Sequence, residues 1–128
     1  TTVVYSAIDD RISNSFPVAG SYPLFLRSEI KNIGDYEQTD LNLYSKTNYL
    51  ELYVLGASGN SRYQLQIFNE NDPCCFSGNE AQTFDYLIQE KIQDIGTGKF
   101  EIYIDKSHNE HKISEKSLKL IVDRLNLT

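Results

Sequence analysis

Apolar and polar positions change rhythm several times along this chain, and each change predicts an element. Val4, Ile8, Ile12 and Phe16 recur every fourth residue, the spacing of one helical face, and Pro17 would end the run. The spacing predicts a helix from about Thr2 to Ser15, with the β-branched opening Thr1-Thr2-Val3-Val4 leaving a strand as the alternative. Tyr22 to Ile30 reads as a strand with Pro23 at its start, where a missing N–H does least harm. A polar loop from Asn32 to Asp40, containing Gly34, follows it.

Leu41 and Leu43 then alternate with polar neighbours, and Ser45-Lys46-Thr47-Asn48 supplies a turn. Leu50, Leu52 and Val54 share one face of a predicted strand, with Glu51 and Tyr53 on the other. After the turn Gly56-Ala57-Ser58-Gly59-Asn60, Tyr63, Leu65 and Ile67 alternate with Arg62, Gln64 and Gln66. This reads as an antiparallel meander with one packed and one wet face. A second loop, Asn69 to Asn79, holds Pro73, Cys74, Cys75 and Gly78. Phe84, Leu87, Ile88, Ile92 and Ile95 have helical spacing, and Gly96 stands where a C-cap glycine belongs. Phe100, Ile102 and Ile104 alternate as a strand, and Asp105 to His111 is a polar turn. In the closing helix Ser114 is the cap, Glu115 suits the positive end of the dipole, and Leu118, Ile121, Val122 and Leu125 form the expected buried stripe. The expected fold is therefore α+β. A single antiparallel sheet of about five strands, the meander at its centre, carries two or three helices on one face. Residues 1–128 make one domain of ordinary size.

Composition narrows the function classes. The apolar share is 40% and the charged share 23%, so the chain has a core to build. The net charge of −6 is uneven: Glu29 to Asp94 holds eleven acidic residues against four basic ones. Phosphate binding needs clustered Lys and Arg, which this distribution argues against for nucleic acid and anionic membranes alike. No apolar stretch has the length of a membrane span, and the opening residues show no signal-peptide pattern. Cys74 and Cys75 are the two cysteines, and adjacent cysteines seldom bond to each other. A thiol pair in a reducing cytoplasm is the expectation.

Candidate chemistry is sparse. His108-Asn109-Glu110-His111 is the densest group of potential metal ligands, but it lacks the i, i+4 spacing of two helical histidines. A zinc deaminase would carry a spaced P-C-x-x-C after the histidine, whereas Pro73-Cys74-Cys75 precedes it. Ser28-Glu29-Ile30-Lys31, the calcium-like Asp105, Ser107 and Asn109, and Gly96-Thr97-Gly98-Lys99 each fail a required position. No residue near the cysteines in sequence would lower a thiol pKa, and Asp72 would raise it.

These failures leave no catalytic, metal or cofactor set and favour a non-catalytic binding domain. Two acidic loops stand out, with Asp35, Tyr36, Glu37 and Asp40 in one and Glu70 and Asp72 in the other. Tyrosines ringed by acids suit capture of a basic protein surface. The expectation is an acidic inhibitor, of the immunity-protein kind, whose six residues block the cationic cleft of a partner such as a nuclease toxin. The alternatives are a small acidic secretion chaperone acting as a homodimer and an enzyme with a site near His108 or His111. A pocket joining either histidine to a buried carboxylate would favour the enzyme.

Overall fold

Three helix starts are written by side chains that accept from free backbone amides. Asp40 accepts from the amides of Asn42 and Leu43, and Ser114 from that of Ser117. Asn48 accepts from Leu50 and Glu51, while the Glu51 carboxylate reaches back to the Asn48 amide, a full capping box. In the computed structural model, which describes residues 2–29 and 32–126, these caps open α2 (Leu41–Tyr44), α3 (Tyr49–Ala57) and α5 (Glu115–Leu125). The remaining elements are α1 (Thr2–Ile8), β1 (Asn14–Ser15), β2 (Tyr63–Asn69), α4 (Gln82–Ile95) and β3 (Lys99–Asp105). Short 3-10 turns occupy Leu24–Leu26 and Tyr36–Thr39.

The sheet corrects the expected fold class. Its three strands run in the order β1-β2-β3, and both pairings are parallel. The molecule is α/β rather than α+β, and the antiparallel meander of about five strands does not form. Leu41–Leu43 and Leu50–Val54, expected as strands, are helical because Asp40 and Asn48 cap them. Tyr49, Leu52, Tyr53, Gly56 and Ala57 are all buried, which is the spacing of a helix face. Tyr53, assigned to a wet face, is fully enclosed and donates its hydroxyl to the Ser21 carbonyl at 2.5 Å.

The β2 strand is buried at all seven positions, as the centre of a doubly covered parallel sheet must be. Tyr63, Leu65 and Ile67 face Phe16, Val18, Tyr103, Leu120 and Ile121. Phe68 joins the larger aromatic cluster on the opposite face, where Tyr22 stacks on Phe76 at 5.3 Å and Tyr53 on Phe84 at 5.8 Å. Gln64 and Gln66 point into protein rather than water. Gln66 donates to the Gln64 side-chain oxygen, and Gln64 donates to the hydroxyls of Ser6 and Ser15. The polar half of the alternation is thus a buried network that ties α1 and β1 to the central strand.

Smaller departures have local causes. The opening helix stops at Ile8 because the Asp9 carboxylate binds the Arg11 amide and guanidinium, making a turn. Over Tyr22–Ile30 the amide of Leu24 donates to Gln38, so the chain coils into a 3-10 turn; Ile30 itself lies outside the described residues. In α5, Leu120 and Ile121 reach the sheet, while Leu118, Val122 and Leu125 are about half exposed, so the expected buried stripe is rotated. Gly98 follows α4 at φ 142°, and a Cβ there would stand 2.1 Å from the Ala57 carbonyl oxygen. Among the described residues no helix is long and apolar enough to cross a membrane.

Candidate functional site

Parallel strands bring their carboxyl ends to one edge of the sheet, and in open α/β sheets ligands bind there. Register pairs Asn69 at the end of β2 with Asp105 at the end of β3. Asp105 is wholly buried and accepts from the Ser107 amide at 2.8 Å, from the Ser107 hydroxyl at 2.5 Å, and from the hydroxyls of Ser114 and Ser117. Burial alone would raise its pKa, but these hydrogen bonds outweigh it and hold the carboxyl well below the usual carboxylate range. The Asn69 amide donates to the carbonyls of Glu110 and Lys112 at 3.2 and 3.1 Å. Both ends of the loop between β3 and α5 are thereby fastened to the sheet.

That loop carries both histidines. His108 turns inward, its side chain 9% exposed, with Nδ1 accepting from the Glu110 amide. Its Nε2 is buried without a hydrogen bond, 3.8 Å from Asp105 Oδ2. His111 turns outward and meets a residue of the other loop: Nδ1 lies 2.8 Å from Asp72 Oδ2. The Asp72 side chain is 2% exposed and that of His111 45%. A carboxylate only accepts, so in the neutral ring Nδ1 is the protonated nitrogen and Nε2 carries the free lone pair. The other oxygen of Asp72 accepts from the Cys74 amide at 2.8 Å.

Cys74 and Cys75 complete the cluster, and here the expectation of two free thiols is corrected. The two are joined by a disulfide, and their sulfurs and a His111 ring nitrogen lie within 4.8 Å of one another. Sequence distance concealed this neighbour: His111 stands 39 residues after Asp72. Two thiolates and an imidazole form a soft donor set, so this is also where the reduced chain could hold a metal such as zinc.

The acids among the six residues expected to meet a basic partner each have a partner within the fold. Asp35 is buried against the Arg27 guanidinium at 2.5 Å and also accepts from Gln38 and the Tyr22 amide. Burial still pushes its carboxyl above the ordinary value, with Arg27 opposing. Glu37 accepts the Tyr49 hydroxyl at 2.5 Å, and Asp40 is the α2 cap. Glu70 pairs with Lys106 at 2.8 Å, and Asp72 holds His111. Tyr36 is exposed. Asp35 and Asp72 are buried, whereas Glu70 keeps part of its side chain exposed.

No family model matches the chain, and no curated protein matches it. Among solved structures it is similar to a Klebsiella pneumoniae protein provisionally described as a dienelactone hydrolase, with a TM-score of 0.47 and 12% identity. The match covers 97% of this chain and 44% of that one, so the chain spans less than half that protein's length. A likeness of this degree says nothing of chemistry, and it lends no support to an immunity protein.

Proposed function

We propose that the carboxyl edge of the sheet is a hydrolytic site, at which His111 is the general base for attack on an ester-type carbonyl and Asp72 orients it. One observation carries the reading: a half-exposed histidine bonded at 2.8 Å to a buried carboxylate from the neighbouring strand's loop. The hydrogen bond fixes the ring's direction and tautomer, presenting Nε2 to solvent and substrate. Nε2 takes the proton from the attacking oxygen, a water or a hydroxyl nucleophile set beside it, and returns it to the leaving group. Asp72 stabilises the imidazolium between the two transfers. Asp105 and Asn69 do not touch substrate; they hold the loop that carries His111. An acid after one parallel strand and a histidine after the next is also the order in which α/β-hydrolases carry these two groups, the nucleophile preceding both.

The test is turnover of a panel of p-nitrophenyl esters by the full-length protein and by H111Q and D72N. H111Q should lose about a hundredfold to ten-thousandfold in kcat. D72N should fall within that range with a small change in KM, since it misdirects the base without removing it. Equal turnover in all three proteins, or none in the unaltered one across the panel, would overturn the assignment.

A further inference from the structure

Cys74 and Cys75 lie against His111 yet have no part in the hydrolytic step. A structural disulfide stabilises mainly by closing a loop of chain in the unfolded state. This one joins sequence neighbours and closes no such loop, so stapling the fold does not account for it. Its surroundings are those of a reactive thiol. Cys74 is partly exposed, whereas Cys75 is 5% exposed. Gly34 lies beside Cys75, where a Cβ on it would make van der Waals contact with the sulfur at 3.4 Å. Cys74 is therefore the more accessible residue of the pair. A His111 ring nitrogen lies within 4.8 Å of both sulfurs. The Asp72 carboxylate beside the pair is bonded to His111 and to the Cys74 amide.

From this arrangement we infer that Cys74 and Cys75 form a reversible thiol–disulfide exchange centre, with a small-molecule disulfide–thiol couple as reaction partner. In the oxidising direction the Cys74 thiol releases its proton to solvent, and the thiolate attacks one sulfur of the small disulfide RSSR. A Cys74–SR bond forms, the S–S bond of RSSR breaks, and one RS⁻ leaves. The Cys75 thiolate then attacks the Cys74 sulfur, closing the Cys74–Cys75 bond and expelling the second RS⁻. The two protons released by the cysteines neutralise the two leaving thiolates. The dithiol is oxidised by two electrons, RSSR is reduced to two RSH, and excess RSH drives the reverse.

The experiment equilibrates the folded, full-length protein in mixtures of reduced and oxidised glutathione, quenches with acid, alkylates free thiols and weighs the intact chain. The unaltered protein should pass reversibly between a doubly alkylated and an unalkylated form while its circular dichroism stays native. C75S should accumulate one glutathione on Cys74, and C74S should react at least about tenfold more slowly through the less accessible Cys75. A disulfide that opens only when the protein unfolds would overturn the inference, and so would equal adduct rates in C74S and C75S. No ester is present in this assay, so its failure is distinguishable from failure of the hydrolytic reading.

Discussion

Replacing Asp105 by Asn tests the clamp on which the site depends. Two hydrogen bonds from Ser107 converge on Oδ1, and the hydroxyls of Ser114 and Ser117 converge on Oδ2. Asn keeps one acceptor oxygen but sets an NH2 group before the two hydroxyls. Ser114 Oγ already accepts from the Ser117 amide at 2.9 Å, so reversing it strains the α5 cap. A hydrogen bond to a charged group contributes about 1.5–3 kcal/mol and a neutral one about 0.5–1.5, a difference of about 1 kcal/mol for each of four bonds. These bonds share one carboxylate and are not additive, so the expected loss is about 2–4 kcal/mol. The sign of the pH dependence follows from the depressed folded-state pKa. The stabilisation is full above the ordinary value of 3.8 and is lost as pH falls below it. Urea denaturation followed by circular dichroism should show the full gap between D105N and the unaltered protein near neutral pH, narrowing on the acid side. A gap under about 0.5 kcal/mol at neutral pH, or one that does not change with acid, would refute the reasoning.

Three further substitutions probe the frame. Gly98→Ala sets a Cβ against the Ala57 carbonyl at a φ that L residues rarely adopt, and should lower stability by about 2–5 kcal/mol in the same titration. Arg27→Ala leaves the Asp35 carboxylate buried without its partner and should cost about 3–5 kcal/mol, read as a fall in the urea midpoint. Tyr53→Phe keeps the ring contacts to Phe84 and Phe100 but removes the bond to Ser21, so calorimetry should show a loss of about 1–2 kcal/mol.

Elements that announce themselves locally were legible from residue order. The α4 helix ends at Gly96, α5 starts at Ser114, and β2 and β3 follow the Tyr63–Ile67 and Phe100–Ile104 alternations. What misled was contrast. The apolar trio Leu50, Leu52 and Val54 alternates like a strand, yet α3 is buried over so much of its surface that its 3.6-residue period is hidden. The capping box Asn48–Glu51 was the signal that distinguished the two. Gln64 and Gln66 imitate a solvated strand face because their partners, Ser6 and Ser15, belong to distant segments. That misreading concealed the parallel sheet, and with it the site. Asp72 and His111 meet only because parallel register sets Asn69 beside Asp105. The condition itself, a histidine joined to a buried carboxylate, could be stated from sequence, but which carboxylate and which histidine could not.

The most direct measurement of the central claim is nitrogen-15 NMR of the His111 ring in the unaltered protein and in D72N, read alongside ester turnover. A neutral ring protonated at Nδ1, with a low-field proton that vanishes in D72N as turnover falls, is the predicted result. A ring that exchanges freely between tautomers and is indifferent to D72N would contradict the pairing on which the hydrolytic site rests.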